Sequence, residues 1–216
     1  MAENTSLHCP DTYSLSGIDN QGAPAKFSFF RCPVKNTVPQ RAITLCEAYQ
    51  LIRSDSYKRE TDALRTIADK KEVRNFKAEY FNYVCFSGTF SKRSAHALIQ
   101  HSGLMVLDFD HIDDVYGLKR RLLDDRFFVT QLLFVSPSGD GVKWIISIDL
   151  NKNSHLNWFN AIANYIRLTY GLTIDPTGKD VCRATFLPHD ADVYLHPYCL
   201  TSLISTNYKI NNHENN

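Results

Sequence analysis

The chain has 216 residues, and 24 Lys and Arg against 23 Asp and Glu leave a net charge of +1, so global charge neither demands nor excludes a nucleic-acid partner. A composition of 44% hydrophobic and 22% charged residues is that of an ordinary soluble globular protein, and no apolar run approaches the ~20 residues that span a bilayer. This length permits one large domain or two small ones, with a core that needs no covalent staples.

Residues 1–25 are polar, rich in Ser, Asn, Gly and Pro, and without period, which predicts a flexible N-terminal arm. The opening Met-Ala-Glu-Asn-Thr-Ser lacks the basic and apolar regions of a signal peptide, so a cytoplasmic protein without membrane contact is expected. Lys26-Phe-Ser-Phe-Phe-Arg31 reads as a short strand. Thr44, with Glu47 three residues on, forms a capping box that opens a helix over 45–53. Apolar residues on one face predict a second helix over 58–71. Lys70, Lys71, Arg74 and Lys77 read as a solvated face, with contact to a phosphate backbone as the alternative. Asn82-Tyr-Val-Cys-Phe86 reads as a strand, and 91–100 as a short helix after the loop Ser87-Gly-Thr-Phe90. Residues 26–100 thus make a small N-terminal αβ unit.

Residues 101–204 carry a more telling order: strand 103–110, helix 113–124, strands 127–135 and 141–150, helix 154–170 capped by Ser154, and strand 181–187. This α+β pattern, βαββαβ, is the RRM-like unit with an antiparallel sheet. Its expected spatial order is 4-1-3-2. The Asn-rich end, 205–216, is expected to be a disordered tail. The six cysteines, Cys9, Cys32, Cys46, Cys85, Cys182 and Cys199, contain no C-x-x-C pair and read as thiols of a reducing compartment. A zinc site from Cys182, His189, His196 and Cys199 is the sharper alternative, but its spacing fits no zinc pattern beyond His196-x-x-Cys199.

The most informative stretch is Leu104-Met-Val-Leu-Asp-Phe-Asp110. Strand residues two apart share a face, so Asp108 and Asp110 lie roughly 6–7 Å apart along one side. Paired carboxylates at a strand end repel unless a cation or protons intervene, and a hard divalent ion is the simplest reason for them. In the 4-1-3-2 order the end of the first strand, the turn Ser136-Pro-Ser-Gly-Asp-Gly-Val-Lys143 and the stretch Ile174-Asp-Pro-Thr-Gly-Lys-Asp-Val-Cys-Arg183 fall on one edge of the sheet. The turn is either a plain hairpin loop or a phosphate cradle. In the second case Gly139 and Gly141 bring backbone amides close, Ser136 and Ser138 add hydroxyls, and Lys143 adds charge. Asp175 either starts a turn or completes a cage with Asp108 and Asp110. Arg183 is either a surface residue or a bidentate phosphate clamp. His111 reads as a loop residue, with proton relay the weaker option. Asp190 and Asp192 read as loop residues beyond the last strand.

A D-h-D strand end, an S-x-S-G-x-G-x-[HK] turn and a later h-D before an Arg resemble the archaeo-eukaryotic primase superfamily, the primase-polymerases. Phe86-Ser-Gly-Thr-Phe90, Ser102 to His111, Ser136 to Lys143 and Asp190-Ala-Asp-Val-Tyr194 are similar to its VirE N-terminal branch, found in mobile-element proteins. The resemblance implies metal-ligand roles for Asp108, Asp110 and Asp175, and phosphate contacts from Ser136, Ser138 and Lys143. Most of that superfamily has histidine where Lys143 stands. It further implies a primase or primase-polymerase using two Mg²⁺ or Mn²⁺ ions, nucleoside triphosphates and a single-stranded DNA template, with a helicase-type ATPase as partner. A metal-dependent nuclease or phosphoesterase, with His111 or His189 as base, is the first alternative. A non-catalytic nucleic-acid-binding module is the second, although Trp144 stands without an RNP-like aromatic set.

Overall fold

The computed structural model describes residues 24–199. Residues 1–23 of the expected arm, Cys9, and the expected tail over 205–216 lie outside the described residues. The N-terminal part contains β1 (Lys26–Phe30), β2 (Arg41–Thr44), α1 (Leu45–Arg53), α2 (Lys58–Arg65), α3 (Lys70–Tyr80), β3 (Tyr83–Cys85), β4 (Gly88–Phe90) and β5 (Leu98–His101). Next come β6 (Leu104–Phe109), α4 (Val115–Leu123), β7 (Thr130–Val135), β8 (Val142–Ser147), α5 (His155–Tyr170), β9 (Thr185–Phe186) and β10 (Tyr194–Leu195). The fold is α+β, and among the described residues all strand pairs are antiparallel.

Local chemistry sets most boundaries. The capping box of α1 forms: Glu47 N–H donates to Thr44 Oγ1 at 3.3 Å, and Glu47 Oε2 accepts from Thr44 N–H at 2.9 Å. The helix expected over 58–71 divides. Thr66 ends α2, and Asp69 starts α3 by accepting from Glu72 N–H at 2.8 Å. The helix expected over 91–100 is instead a loop, a 3-10 turn at Ala95–Ala97 and the strand β5. Gly88 explains this, because a Cβ there would lie 2.2 Å from the Gln100 carbonyl oxygen, so only glycine lets β4 and β5 close as a hairpin.

The central sheet runs β10-β7-β8-β6, and a second sheet runs β2-β1-β3-β9. β8 lies between β6 and β7, as a βαββ unit requires, but the fourth strand departs from the expected 4-1-3-2 order. Of residues 181–187, only Thr185–Phe186 form a strand, and it pairs with β3 in the second sheet. β10 closes the central sheet at the far edge, against β7. The free edge of β6 is taken by 174–179 instead, where Asp175 N–H donates to Asp108 O at 2.9 Å.

Both faces of the central sheet are covered, which is why β6 reads as an unbroken apolar run rather than an alternation. Met105, Leu107, Phe109, Trp144 and Ile146 pack against Leu118 and Leu122 of α4 and Phe159, Ile162 and Ile166 of α5. Leu104, Val106, Leu132, Phe134 and Ile145 face the other way, onto Phe27, Phe29, Ile43 and Val84 of the second sheet and Ala48 and Ile52 of α1. Among the described residues no helix is long and apolar enough to cross a membrane.

Candidate metal centre

Asp108 continues the row of Leu104 and Val106 on the face turned toward the second sheet, and it is buried at 6% exposure. A carboxylate in that position needs partners. Lys143 is its register partner on β8, and its Nζ donates to Asp108 Oδ1 and lies 3.7 Å from Asp110 Oδ1. Arg183 Nη2 lies 3.3 Å from Asp108 Oδ2 and 2.7 Å from Asp175 Oδ2. Asp175 caps the 3-10 turn Pro176–Lys179 by accepting from Thr177 N–H at 2.9 Å. Asp108, Asp110 and Asp175 each offer an oxygen within 4.8 Å of the others. The three acids meet although the fourth strand is not where the topology placed it, because the backbone of Asp175 docks on the edge of β6.

Charge and burial pull these groups apart. Asp110 is raised above the ordinary carboxyl range, by burial first and then by the Asp175 charge, with Lys77 opposing. Burial also acts on Asp175, but Thr177, Arg183 and Lys143 outweigh it and hold that carboxyl below its usual range. Burial, and then the charges of Arg183 and Lys77, press Lys143 below the ordinary lysine range, with Asp175 opposing. Three carboxylate oxygens at this spacing could hold a metal ion.

The turn over 136–141 faces the acids across a cavity of about 280 Å³. Asp108, Asp110, Ser136, Ser138, Lys143 and Arg183 line it from the core, and Lys77 and Arg93 from the N-terminal unit. Ser136 Oγ is buried without a hydrogen-bond partner, a donor left for something that enters the cavity. The two glycines build the turn rather than line the cavity. Gly139 has φ +85° and its N–H bonds Ser136 O at 2.9 Å. A Cβ on Gly141 would lie 2.3 Å from Phe109 O. Two cations of the N-terminal unit hold the turn. Arg65 Nε donates to Pro137 O at 3.2 Å, and Lys77 Nζ to Ser138 Oγ at 3.3 Å. Lys77 stood among the candidate phosphate contacts in the sequence. Arg65 and Arg93 carried no local signal, since only the packing of the N-terminal unit brings them here.

Other candidates are held elsewhere. His111, at φ +57°, pairs its Nδ1 with Asp140 Oδ2 at 2.9 Å, tying the end of β6 to the turn. Asp190 is paired with Lys119 at 3.3 Å and accepts from Val135 N–H at 2.8 Å. Asp192 belongs to the same knot through its carbonyl, which accepts from Lys119 at 2.9 Å. Among the described residues the acid triad is the group of three or more His, Cys, Asp or Glu placed to hold one ion, and the zinc quartet is not gathered. Cys182 lies beside Asp180, while His189 Nδ1 meets Ser54 O at 2.9 Å. A larger groove of about 630 Å³ passes His111, Arg120 and Arg121, and no member of the triad lines it.

The model of the BT4734-like, N-terminal domain family matches residues 75–195, which include every member of the site except Arg65. Neither the curated proteins nor the solved structures yield a match to the chain.

Proposed function

The chain belongs to the BT4734-like, N-terminal domain family, and from the geometry of its site we propose a template-directed nucleotidyltransferase of the primase-polymerase type. The single observation that carries this reading is the convergence of Asp108, Asp110 and Asp175 on one point opposite the 136–143 turn. Paired hard-cation ligands beside phosphate donors are the parts of phosphoryl transfer. The core reads as a variant of the RRM-like unit: the βαββα order and the position of β8 between β6 and β7 support this, with the fourth strand moved to the far edge.

Asp108, Asp110 and Asp175 would hold one or two Mg²⁺ or Mn²⁺ ions. Bound there, the metal supplies Lewis-acid stabilisation at the α-phosphate and lowers the pKa of the attacking 3′-hydroxyl. Ser136 and Ser138 present hydroxyls to phosphate oxygens, and Arg183 braces two of the acids while exposing part of its guanidinium to the cavity. Lys77 and Arg93 put positive charge on the opposite wall, where a leaving pyrophosphate gathers its charge. Nucleoside triphosphates, a single-stranded template, a helicase-type ATPase partner and a cytoplasmic setting accompany this reading.

The nuclease alternative is weaker because His111 and His189 are engaged away from the cavity. A plain RRM-like binding module is weaker because the second sheet covers the face that such modules offer to bases. Incorporation of labelled nucleotides on single-stranded DNA with Mg²⁺ or Mn²⁺ tests the proposal. Asp108→Asn should lower it by more than about a hundredfold, beyond what outer-shell partners alone are worth, while leaving the domain folded. Wild-type protein that incorporates nothing with either metal on several templates would overturn it.

A further inference from the structure

The acid cluster comes with a cation of its own. Lys143 Nζ donates to Asp108 Oδ1 and stands 3.7 Å from Asp110 Oδ1, so it uses the oxygens of two of the three carboxylates placed to ligate an ion. An ammonium has three N–H donors and no lone pair to offer a metal, so it can adjoin these oxygens only in competition with one. Arg183 does not compete in the same way. Its guanidinium grips Asp108 and Asp175 from a third-exposed position at the rim, through oxygens other than the one that Lys143 uses. The backbone of Lys143 is fixed by its register opposite Asp108, but its four-carbon stem lets Nζ swing. Next to it lies the cavity, where the orphaned Ser136 hydroxyl waits for the same anion that would draw a lysine.

We propose that Lys143 is a tethered cation: it fills the carboxylate cluster when no ligand is bound, and it leaves the cluster for the polyphosphate when a divalent metal enters. The idea rests on the metal reading above. It makes the preferred ligand a metal–polyphosphate chelate rather than free metal, because only the chelate gives the displaced ammonium a new partner. It also gives a reason for lysine at a position where a shorter, neutral side chain would leave the acids uncompensated.

The test uses Mn²⁺ alone, titrated into wild-type, Lys143→Met and Lys77→Met protein, with free Mn²⁺ followed by electron paramagnetic resonance. Lys77→Met removes one charge from the opposite wall and measures the general electrostatic gain. Lys143→Met should bind Mn²⁺ about tenfold more tightly than wild type or better, and Lys77→Met by less than about threefold. Equal gains, or weaker binding by Lys143→Met, would overturn the tethered cation and leave the metal site standing. No Mn²⁺ binding by any of the three would overturn both. Because Lys143→Met removes a buried charge, wild-type protein supplies a second readout. The Lys143 Cε NMR signal should shift on saturation with Mg²⁺–tripolyphosphate, and a signal that stays in place at saturation overturns the displacement.

Discussion

Lys119–Asp190, which ties α4 to the loop before β10, and Lys143–Asp108, which ties β8 to β6, are both buried lysine–carboxylate pairs, yet their surroundings differ in one decisive respect. Around Asp190 the buried lysine and the buried carboxylate are both taken up by partners. Lys119 Nζ serves Asp190 and the Asp192 carbonyl, while Asp190 takes the N–H groups of Val135 and Asp192. Around Asp108 three acids share two direct cations, one hydroxyl goes unpaired and a cavity adjoins. Burial of a charge is common to both. Surplus acid with unsatisfied donors marks the region that expects a ligand.

Stability should separate the pairs most sharply. Asp190→Ala leaves the Lys119 charge buried alone and should cost about 3–5 kcal/mol in urea unfolding. Asp108→Asn removes one of three mutually repelling acids and leaves Lys143 beside Asp110, so its cost should stay within about 1 kcal/mol. Equal losses at the two positions would erase the distinction.

Acid should loosen the site. His101 Nδ1 accepts from Gly103 N–H, His101 and His155 meet at 3.1 Å, and His155 Nε2 approaches Gly178 O in the segment that carries Asp175. Burial and the neighbouring His155 lower His101 to about 4, so the unfolded chain takes up the proton first. The stabilisation is therefore complete above about pH 6.5 and lost as pH falls toward 4; the full shift corresponds to about 3 kcal/mol, which solvent screening of this half-buried ring reduces to the order of 1–2 kcal/mol. Thermal melts across that range should slope accordingly, and His101→Gln should flatten them. A slope unchanged in that variant would place the acid sensitivity elsewhere.

Arg65→Ala offers the finest cut. It frees the turn without touching the acids, so tripolyphosphate affinity should fall several-fold, consistent with one charge-assisted bond, and stability by less than about 1 kcal/mol. Unchanged affinity would mean that the turn holds its shape without the N-terminal unit.

Much of this was legible in the residues. The capping box at Thr44 and Glu47, the N-cap at Ser154 and the strand–helix–strand–strand run from Leu104 to Ser147 depend on contacts a few residues apart. Asp108, Asp110, Ser136, Ser138 and Lys143 likewise stood out, since one strand end and one turn carry them. Residues 91–100 misread because strand pairing with Gly88 decides them, and 181–187 because β3 claims two of its residues for another sheet.

The amino-acid order alone determined where chain elements begin and which strand ends in paired acids, because periodicity and capping act over one or two turns. Only the tertiary structure decided that Asp175 reaches them along the edge of β6, that Lys77 and Arg93 complete the wall while Arg65 holds the turn, and that Asp190 is structural. Those outcomes rest on which surfaces bury against each other, and burial is a property of the whole chain rather than of any segment.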